Sequence, residues 1–324
     1  MKKVVVILAL FAVVVAGPLF AQAPKSGAPK YTFYAMGVDA GIDPFFATVL
    51  KGMKAAEADL PIKLNYVGLR GNEITAAGLG SRLEQAVAAK PDGIITGFWF
   101  ADSEKEITDP AMDKGISIMA YNNPDTRSEK DKAKYIGYIG MDERYTGQVL
   151  ASSTVKRIKA VRAVIGINTP GSTPIENRAS GIAKVLDENK IPYEKLNVTD
   201  DPATCATVLG AYLTKYPDTN LIFVMGPVSA HPALQLLQDR NLQGKVFIAC
   251  FDASQKIIDG ISSGAILNTA IQQPFAQGYL SVMMLYLYKE YGILPPDNVP
   301  TGPTIVDKSN LKIIQKQITA TGGA

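Results

Sequence analysis

Residues 31–67 read YTFYAMGVDAGIDPFFATVLKGMKAAEADLPIKLNYV. An apolar run at 32–38 stops at Asp39, an amphipathic stretch follows at 45–58, and a second apolar run fills 62–67. Two strand-length runs around a helix-length stretch are the pattern of a parallel sheet covered by helices. Asp43 directly before Pro44 marks the helix start, a capping side chain followed by proline at the first helical position. The alternation continues outward, with strands predicted at 93–99, 116–121 and 135–140 and helices at 76–89 and 103–113. A second set then begins, with strands at 161–167, 193–198, 221–225, 246–251 and 265–271 and helices at 144–158, 175–187, 203–215 and 233–239. The chain is expected to be α/β, two similar doubly wound parallel-sheet lobes. Residues 275–291 form one further predicted helix, and the Pro- and Gly-rich segment 295–303 a crossing or linker. Residues 24–30 and 319–324 are expected to be loose ends.

Composition agrees with two cores. The 324 residues are 47% hydrophobic and 19% charged, longer than a single core usually serves. Lys2 and Lys3 precede an uncharged run at 4–20 and then Ala21-Gln22-Ala23, the layout of a cleavable secretory signal over residues 1–23. The Gly17-Pro18 break and the short run disfavour a membrane anchor. No cysteine follows the run, so the lipid-anchored form of export is not expected, and the mature chain should be free in a periplasm. Losing Lys2 and Lys3 lowers the net charge from +3 to about +1, which gives nucleic acid nothing to bind. Cys250 lies in the apolar run 246–251 and is expected to pack there rather than pair with Cys205.

Ligands of open parallel sheets sit beyond the carboxyl ends of the strands, where loops and helix N-termini converge. The first half places Asp43, Phe45 and Phe46 there after strand one, Trp99 after strand three, and Asn122 and Asn123 after strand four. The second half supplies Arg178, Asp200, Asp252 and Gln272 in similar places. Carboxylates and amides exchange hydrogen bonds with hydroxyls, a guanidinium donates in a planar fork, and aromatic faces cover the C–H faces of a sugar ring. Each residue also has a structural alternative: Phe45 and Phe46 could pack on the sheet, Arg178 could pair with Glu176, Asp252 could cap the helix near Ser254, and Trp99 could lie inside a lobe.

Enzyme signals are missing. There is no phosphate-binding G-x-x-x-x-G-K-[ST] loop and no G-x-G-x-x-G after the first strand. The single histidine, His231, sits without a nucleophile elbow and reads as a helix-start residue; one His and two separated Cys do not make a zinc site. Neighbouring Asp200 and Asp201 read as helix-start caps rather than as a glycosidase pair. No cofactor is implied.

The chain resembles the type I periplasmic binding proteins of the ribose/galactose group, the sugar receptors of ABC importers. Asp43-Pro44-Phe45-Phe46 is similar to that family's Asn-Pro-Phe-Phe, and Ile139-Gly140-Met141-Asp142 with Gly147 to its Gly-x-Asp segment. Arg178-Ala179-Ser180-Gly181 matches the Arg-x-x-Gly segment, Phe251-Asp252 the Phe-Asp, and Gln272-Gln273-Pro274 with Gly278 the Gln-x-Pro. The resemblance departs at Asn122-Asn123, where ribose binders carry Asp-Arg, and at Gly226-Pro227, where they carry Asn-Asp, so Gly226 joins the ligand-site candidates and ribose is disfavoured. The stretches 226–237 and 278–287 look closer to glucose- or xylose-binding members. The resemblance implies a non-enzymatic periplasmic receptor, a monomer that closes over a monosaccharide or cyclic polyol and delivers it to a membrane permease; the same closed form could also serve a chemoreceptor. It implies a first lobe of 30–141 plus 273–301, a second of 142–272 plus 302–318, and three hinge crossings near 140–142, 271–274 and 301–304. Arg178 is expected to reach into a wet cleft and to contribute little to stability. The alternatives are the effector domain of a sugar-responsive repressor, against which the export signal speaks, and a secreted enzyme acting on sugars.

Overall fold

The computed structural model describes residues 27–322, so the proposed leader at 1–23 lies outside the described residues. In chain order the elements are β1 (Tyr31–Val38), α1 (Pro44–Asp59), β2 (Ile62–Leu69), α2 (Ala76–Ala88), β3 (Gly93–Thr96), α3 (Ala101–Asp113), β4 (Ser117–Asn122) and β5 (Tyr138–Gly140). Then come α4 (Glu143–Val155), β6 (Ala163–Ile167), α5 (Thr173–Glu188), β7 (Tyr193–Asn197), α6 (Pro202–Lys215), β8 (Leu221–Val224), α7 (Pro227–Asp239), β9 (Phe247–Phe251), α8 (Gln255–Ser263) and β10 (Ile266–Ile271). The chain closes with α9 (Pro274–Tyr291), β11 (Asn298–Pro300), β12 (Thr304–Val306) and α10 (Leu311–Thr321).

Two six-stranded sheets result, ordered β11-β5-β4-β3-β1-β2 and β12-β10-β9-β8-β6-β7. All pairs are parallel except β12, which runs antiparallel to β10. Strands β3, β4, β6 and β8 are buried along their whole length, which is why their sequences are mainly apolar, with Thr96, Ser117 and Asn122 the polar exceptions at the strand ends. Edge strand β7 has no fully buried residue, consistent with its mixed sequence YEKLN. This is the expected fold class.

The chain moves between the sheets after β5, after β10 and between β11 and β12. The first two passages exchange helices. α4 follows a first-sheet strand but packs against α5 beneath the second sheet, while α9 follows a second-sheet strand but packs against α1 beneath the first. Glycines let these pairs touch. A Cβ on Gly52 of α1 would lie 2.0 Å from the Phe275 carbonyl oxygen of α9, and one on Gly181 of α5 would lie 2.0 Å from that of Arg144 in α4.

Two expectations are corrected and one is sharpened. The C-terminal end is not loose from 319: α10 continues to Thr321, turning Ile314 into the core beside α8. Helix α7 starts at Pro227 rather than 233, because Pro232 stands close enough to the N-terminus that only one early carbonyl loses its donor. The segment 295–303 is the crossing rather than a plain linker, with β11 in it extending the first sheet before the chain passes to β12 in the second. Cys205 and Cys250 are both free and buried.

Candidate functional site

The ends of the parallel strands of both sheets carry the candidate residues, and the backbone there is shaped to present them. Helices α1, α5, α6, α7 and α9, each following a strand, have proline in the first two positions, which fixes their entry angle. Asn122 ends β4 and Asp252 directly follows β9, with left-handed φ of 60° and 58°, a region that Asn and Asp tolerate better than most side chains.

In the first lobe, Asp43 Oδ1 accepts from the Phe45 and Phe46 N–H groups at 2.8 and 3.4 Å, so it is the helix cap. The buried Phe46 ring meets half-buried Phe45 edge-on at 5.2 Å and half-buried Trp99 at 6.0 Å. The Trp99 and Phe100 N–H groups donate to Glu104 at 3.1 and 3.0 Å. Glu104 is fully buried, and burial pushes its pKa up to about 8 against the pull of these two bonds. Asn123 is buried, and its carbonyl accepts from Phe98 N–H at 2.8 Å.

A run of hydrogen bonds then leads to Asp252 of the second lobe, with Arg178 beyond its end. Asn122 Nδ2 donates to Gln272 Oε1 at 3.5 Å and to Gln277 Oε1 at 3.4 Å, and Gln272 Nε2 donates to Asp252 Oδ1 at 2.9 Å. Asp252 Oδ2 lies 3.8 Å from Arg178 Nη1. Arg178 Nε and Nη2 donate to the two oxygens of Glu143 at 2.6 and 3.1 Å, and Nη1 donates to the Met225 carbonyl at 2.8 Å. The guanidinium also stacks 4.6 Å above the Phe251 ring. Burial lifts the carboxyl pKa of both Glu143 and Asp252 above their ordinary range, and Arg178 pulls each back.

Arg178 therefore corrects the sequence expectation. It is 6% exposed and bonded on three of its N–H groups, not a side chain waiting in water, and its partner is Glu143 rather than Glu176. The cause is the α4–α5 crossing, which brings residue 143 against residue 178. Asp252 does not cap α8, which uses Ser254. Gly226 has an extended backbone, and a Cβ there would meet only Asp252 Oδ2, at 3.9 Å, so the space before Asp252 is open. Asp200 is exposed and held by Asn168 and Thr169 at 2.8 and 3.3 Å, bonded to none of the other candidates; its neighbour Asp201 caps α6. His231 lies within α7, with Nε2 2.8 Å from Ser254 Oγ.

A cavity of about 730 Å³ adjoins this run, reaching Trp99, Asn123 and Glu143 between the 123–135 loop, the β5–α4 passage and the start of α5. Sequence reasoning missed Glu143 and Gln277. Glu143 directly follows the quoted segment ending at Asp142, but nothing local in the sequence says that its partner lies 35 residues on. Among the described residues no group of three or more His, Cys, Asp or Glu is placed to hold a metal ion, and no helix is long and apolar enough to cross a membrane.

Residues 34–292 match the model of the periplasmic binding protein domain family. The chain belongs to that family. Its fold is shared, at 26% identity and a TM-score of 0.78, with a carbohydrate transporter from Acidothermus cellulolyticus solved with myo-inositol, over 90% of this chain and 99% of that one. A xylose/arabinose-binding protein of Sulfolobus acidocaldarius is 24% identical over 91% of this chain and 75% of its own length. A D-ribose/D-allose-binding protein of Pseudomonas aeruginosa is 23% identical over 70% of this chain and 73% of its own length. This member of the family is a periplasmic solute-binding protein of the type I fold, and not an enzyme.

Proposed function

We propose that the protein captures a monosaccharide or cyclic polyol between its lobes and hands it to the membrane permease of an ABC importer. The observation that carries this is the run Asn122–Gln272–Asp252–Arg178, acceptors and donors alternating beside the Phe46–Trp99 aromatic pair. The 3.8 Å between Arg178 Nη1 and Asp252 Oδ2 is too long for a hydrogen bond, and a sugar hydroxyl that accepts from the first and donates to the second fits it. Gly226 leaves the approach to Asp252 clear, and Phe45, Phe46 and Trp99 supply the apolar cover for the ring. The ligands named for the relatives, xylose, arabinose, ribose, allose and myo-inositol, are uncharged and rich in hydroxyls.

In this reading the lobes comprise 30–141 with 273–301 and 142–272 with 302–318, and the three passages between the sheets act as the hinge. Binding draws the lobes together, and the permease reads the closed shape. Residues 1–23 direct export and are removed. A thermal-shift panel of monosaccharides and polyols tests the reading, since a ligand that binds only the folded state raises the melting temperature by mass action. The expected result is at least one strong hit, with a smaller radius of gyration in small-angle scattering on saturation. A panel without any hit would overturn it.

A further inference from the structure

Arg178 is the one cation at the end of that run, and its charge is already answered. Glu143 takes two of its N–H groups at 2.6 and 3.1 Å, both side chains being 7% exposed or less, and Asp252 stands 3.8 Å from a third nitrogen position. Asp43 adds its field to Asp252 from the first lobe, so a third carboxylate stands behind the two at the guanidinium. An arginine that binds a carboxylate or phosphate presents its planar fork to the ligand. Here the Nε/Nη2 edge of that fork is turned to Glu143, and Nη1 is turned to the Met225 carbonyl.

We infer that Glu143 is a specificity-determining residue: by neutralising Arg178 and fixing its fork, it makes the site take uncharged sugars or polyols and refuse sugar acids and sugar phosphates. This rests on the sugar-binding reading above. Glu143 acts through Arg178 and is in that sense a positioning residue. An anionic ligand brought to the run would face Asp252 and Asp43 with no free cation to offset them. The cations of the adjoining cavity do not change this: Arg127 is tied to Asp125 and Asp102, Lys132 pairs with Glu129 at 3.6 Å, and Arg144 is exposed to water.

Isothermal titration of the wild-type protein with D-glucose, D-galactose, D-xylose and myo-inositol, and with D-glucuronate and D-galacturonate, tests the charge rule directly. The best uncharged ligand is expected to bind about a hundredfold or more tighter than either uronate, because like charges brought together in a desolvated site cost several kcal/mol. Glu143→Gln keeps the side-chain shape and frees the Arg178 charge. It is expected to weaken the best uncharged ligand about tenfold and to strengthen uronate binding, narrowing the ratio at least tenfold, and Glu143→Asp is expected to restore most of the original preference. Glu143→Gln need not fold for the rule to be exposed, since the wild-type ratio alone decides it. A uronate bound by the wild type within threefold of the best uncharged ligand would overturn the inference while leaving the sugar reading standing. A well-folded Glu143→Gln that gains no uronate affinity would remove Glu143 from the role. Failure of every uncharged ligand would instead bring down the sugar reading, and this inference with it.

Discussion

The two lobes use one helix crossing twice and fill it with different chemistry. Around α1 and α9 a Cβ on Gly278 would strike the Val49 carbonyl oxygen at 2.1 Å; around α5 and α4 a Cβ on Gly147 would strike that of Arg178 at 2.3 Å. Gly52 and Gly181 complete the match, so Val49 and Arg178 hold equivalent places, each three residues before the glycine of its own helix. Val49 is fully buried in an apolar core, whereas Arg178 carries a charge into almost the same degree of burial. What the crossing demands is small residues at two backbone contacts. The side chain beside them is free to differ, and the second lobe uses that freedom to place a buried ion, offset by Glu143, at the proposed ligand site. The buried glutamates differ in the same way. Glu143 is held by an arginine, while Glu104 of the first lobe is held only by the Trp99 and Phe100 N–H groups.

The largest expected effect is Arg178→Ala. Removing one member of a buried pair strands the other, at a cost of about 3 to 5 kcal/mol. Val49→Ala at the matching place loses only packing, two buried methyl groups and the cavity they leave, about 2 to 3 kcal/mol. Urea melts of both variants measure the difference, and titration with the best sugar should show affinity falling for Arg178→Ala and holding for Val49→Ala. Equal costs in the two lobes would mean that the ion pair is not what distinguishes them.

This contrast also marks what the sequence could disclose. Alternating apolar runs and amphipathic stretches suffice for two α/β lobes, because buried parallel strands such as β6 and β8 are apolar throughout. Asp43-Pro44 discloses a helix start because capping is local. Arg178, Asp252 and Gln272 could be nominated from their places after strands, but the Arg178–Glu143 bond depends on a crossing of two helices, and no local pattern encodes it. Helix α10 differs: Leu311, Ile314 and Ile318 share one face against the core, a regular but short signal at the end of the chain.

Next in size are Gly52→Ala and Gly181→Ala, each forcing a methyl against backbone and costing about 1 to 3 kcal/mol by overpacking. The stability losses should be alike, since the contacts match at 2.0 Å. Affinity should not be alike: widening the α4–α5 crossing pulls Arg178 from Glu143, while widening α1–α9 leaves both in place. Equal sugar affinity in the two variants would show that the crossing does not set the arginine's position.

Glu104 separates the lobes by pH. Its folded pKa of about 8 lies above the ordinary 4.5, so its contribution to stability is fully present below about 4.5 and is lost as pH rises through about 8. Wild-type urea midpoints should therefore fall over that window, and Glu104→Gln should flatten the fall. Trp99 is the only tryptophan, and its backbone N–H donates to Glu104, so its emission should respond to the Glu104 charge near pH 8 in the wild type and not in the variant. Emission that stays constant from pH 6 to 9 would deny that Glu104 titrates in that range.

The smallest expected change is the most pointed. Glu143→Leu combined with Arg178→Met rewrites the second crossing in the apolar manner of the first. A buried pair exchanged whole for hydrophobic side chains of similar volume is often neutral or stabilising, because neither charge then has to be taken out of water. The double variant should thus melt within about 1 kcal/mol of the wild type, or above it, although Arg178→Ala alone loses several. The Met225 carbonyl, which loses its Arg178 donor, sets the main residual cost, about 1 kcal/mol for one hydrogen bond. Sugar binding should disappear, since Asp252 would keep Gln272 but lose the guanidinium beside it. A double variant that folds normally and binds nothing would establish that the second lobe keeps its ion pair for the ligand and not for the fold. One as unstable as Arg178→Ala would show instead that the ion pair had become part of the frame, and that the two crossings are no longer interchangeable.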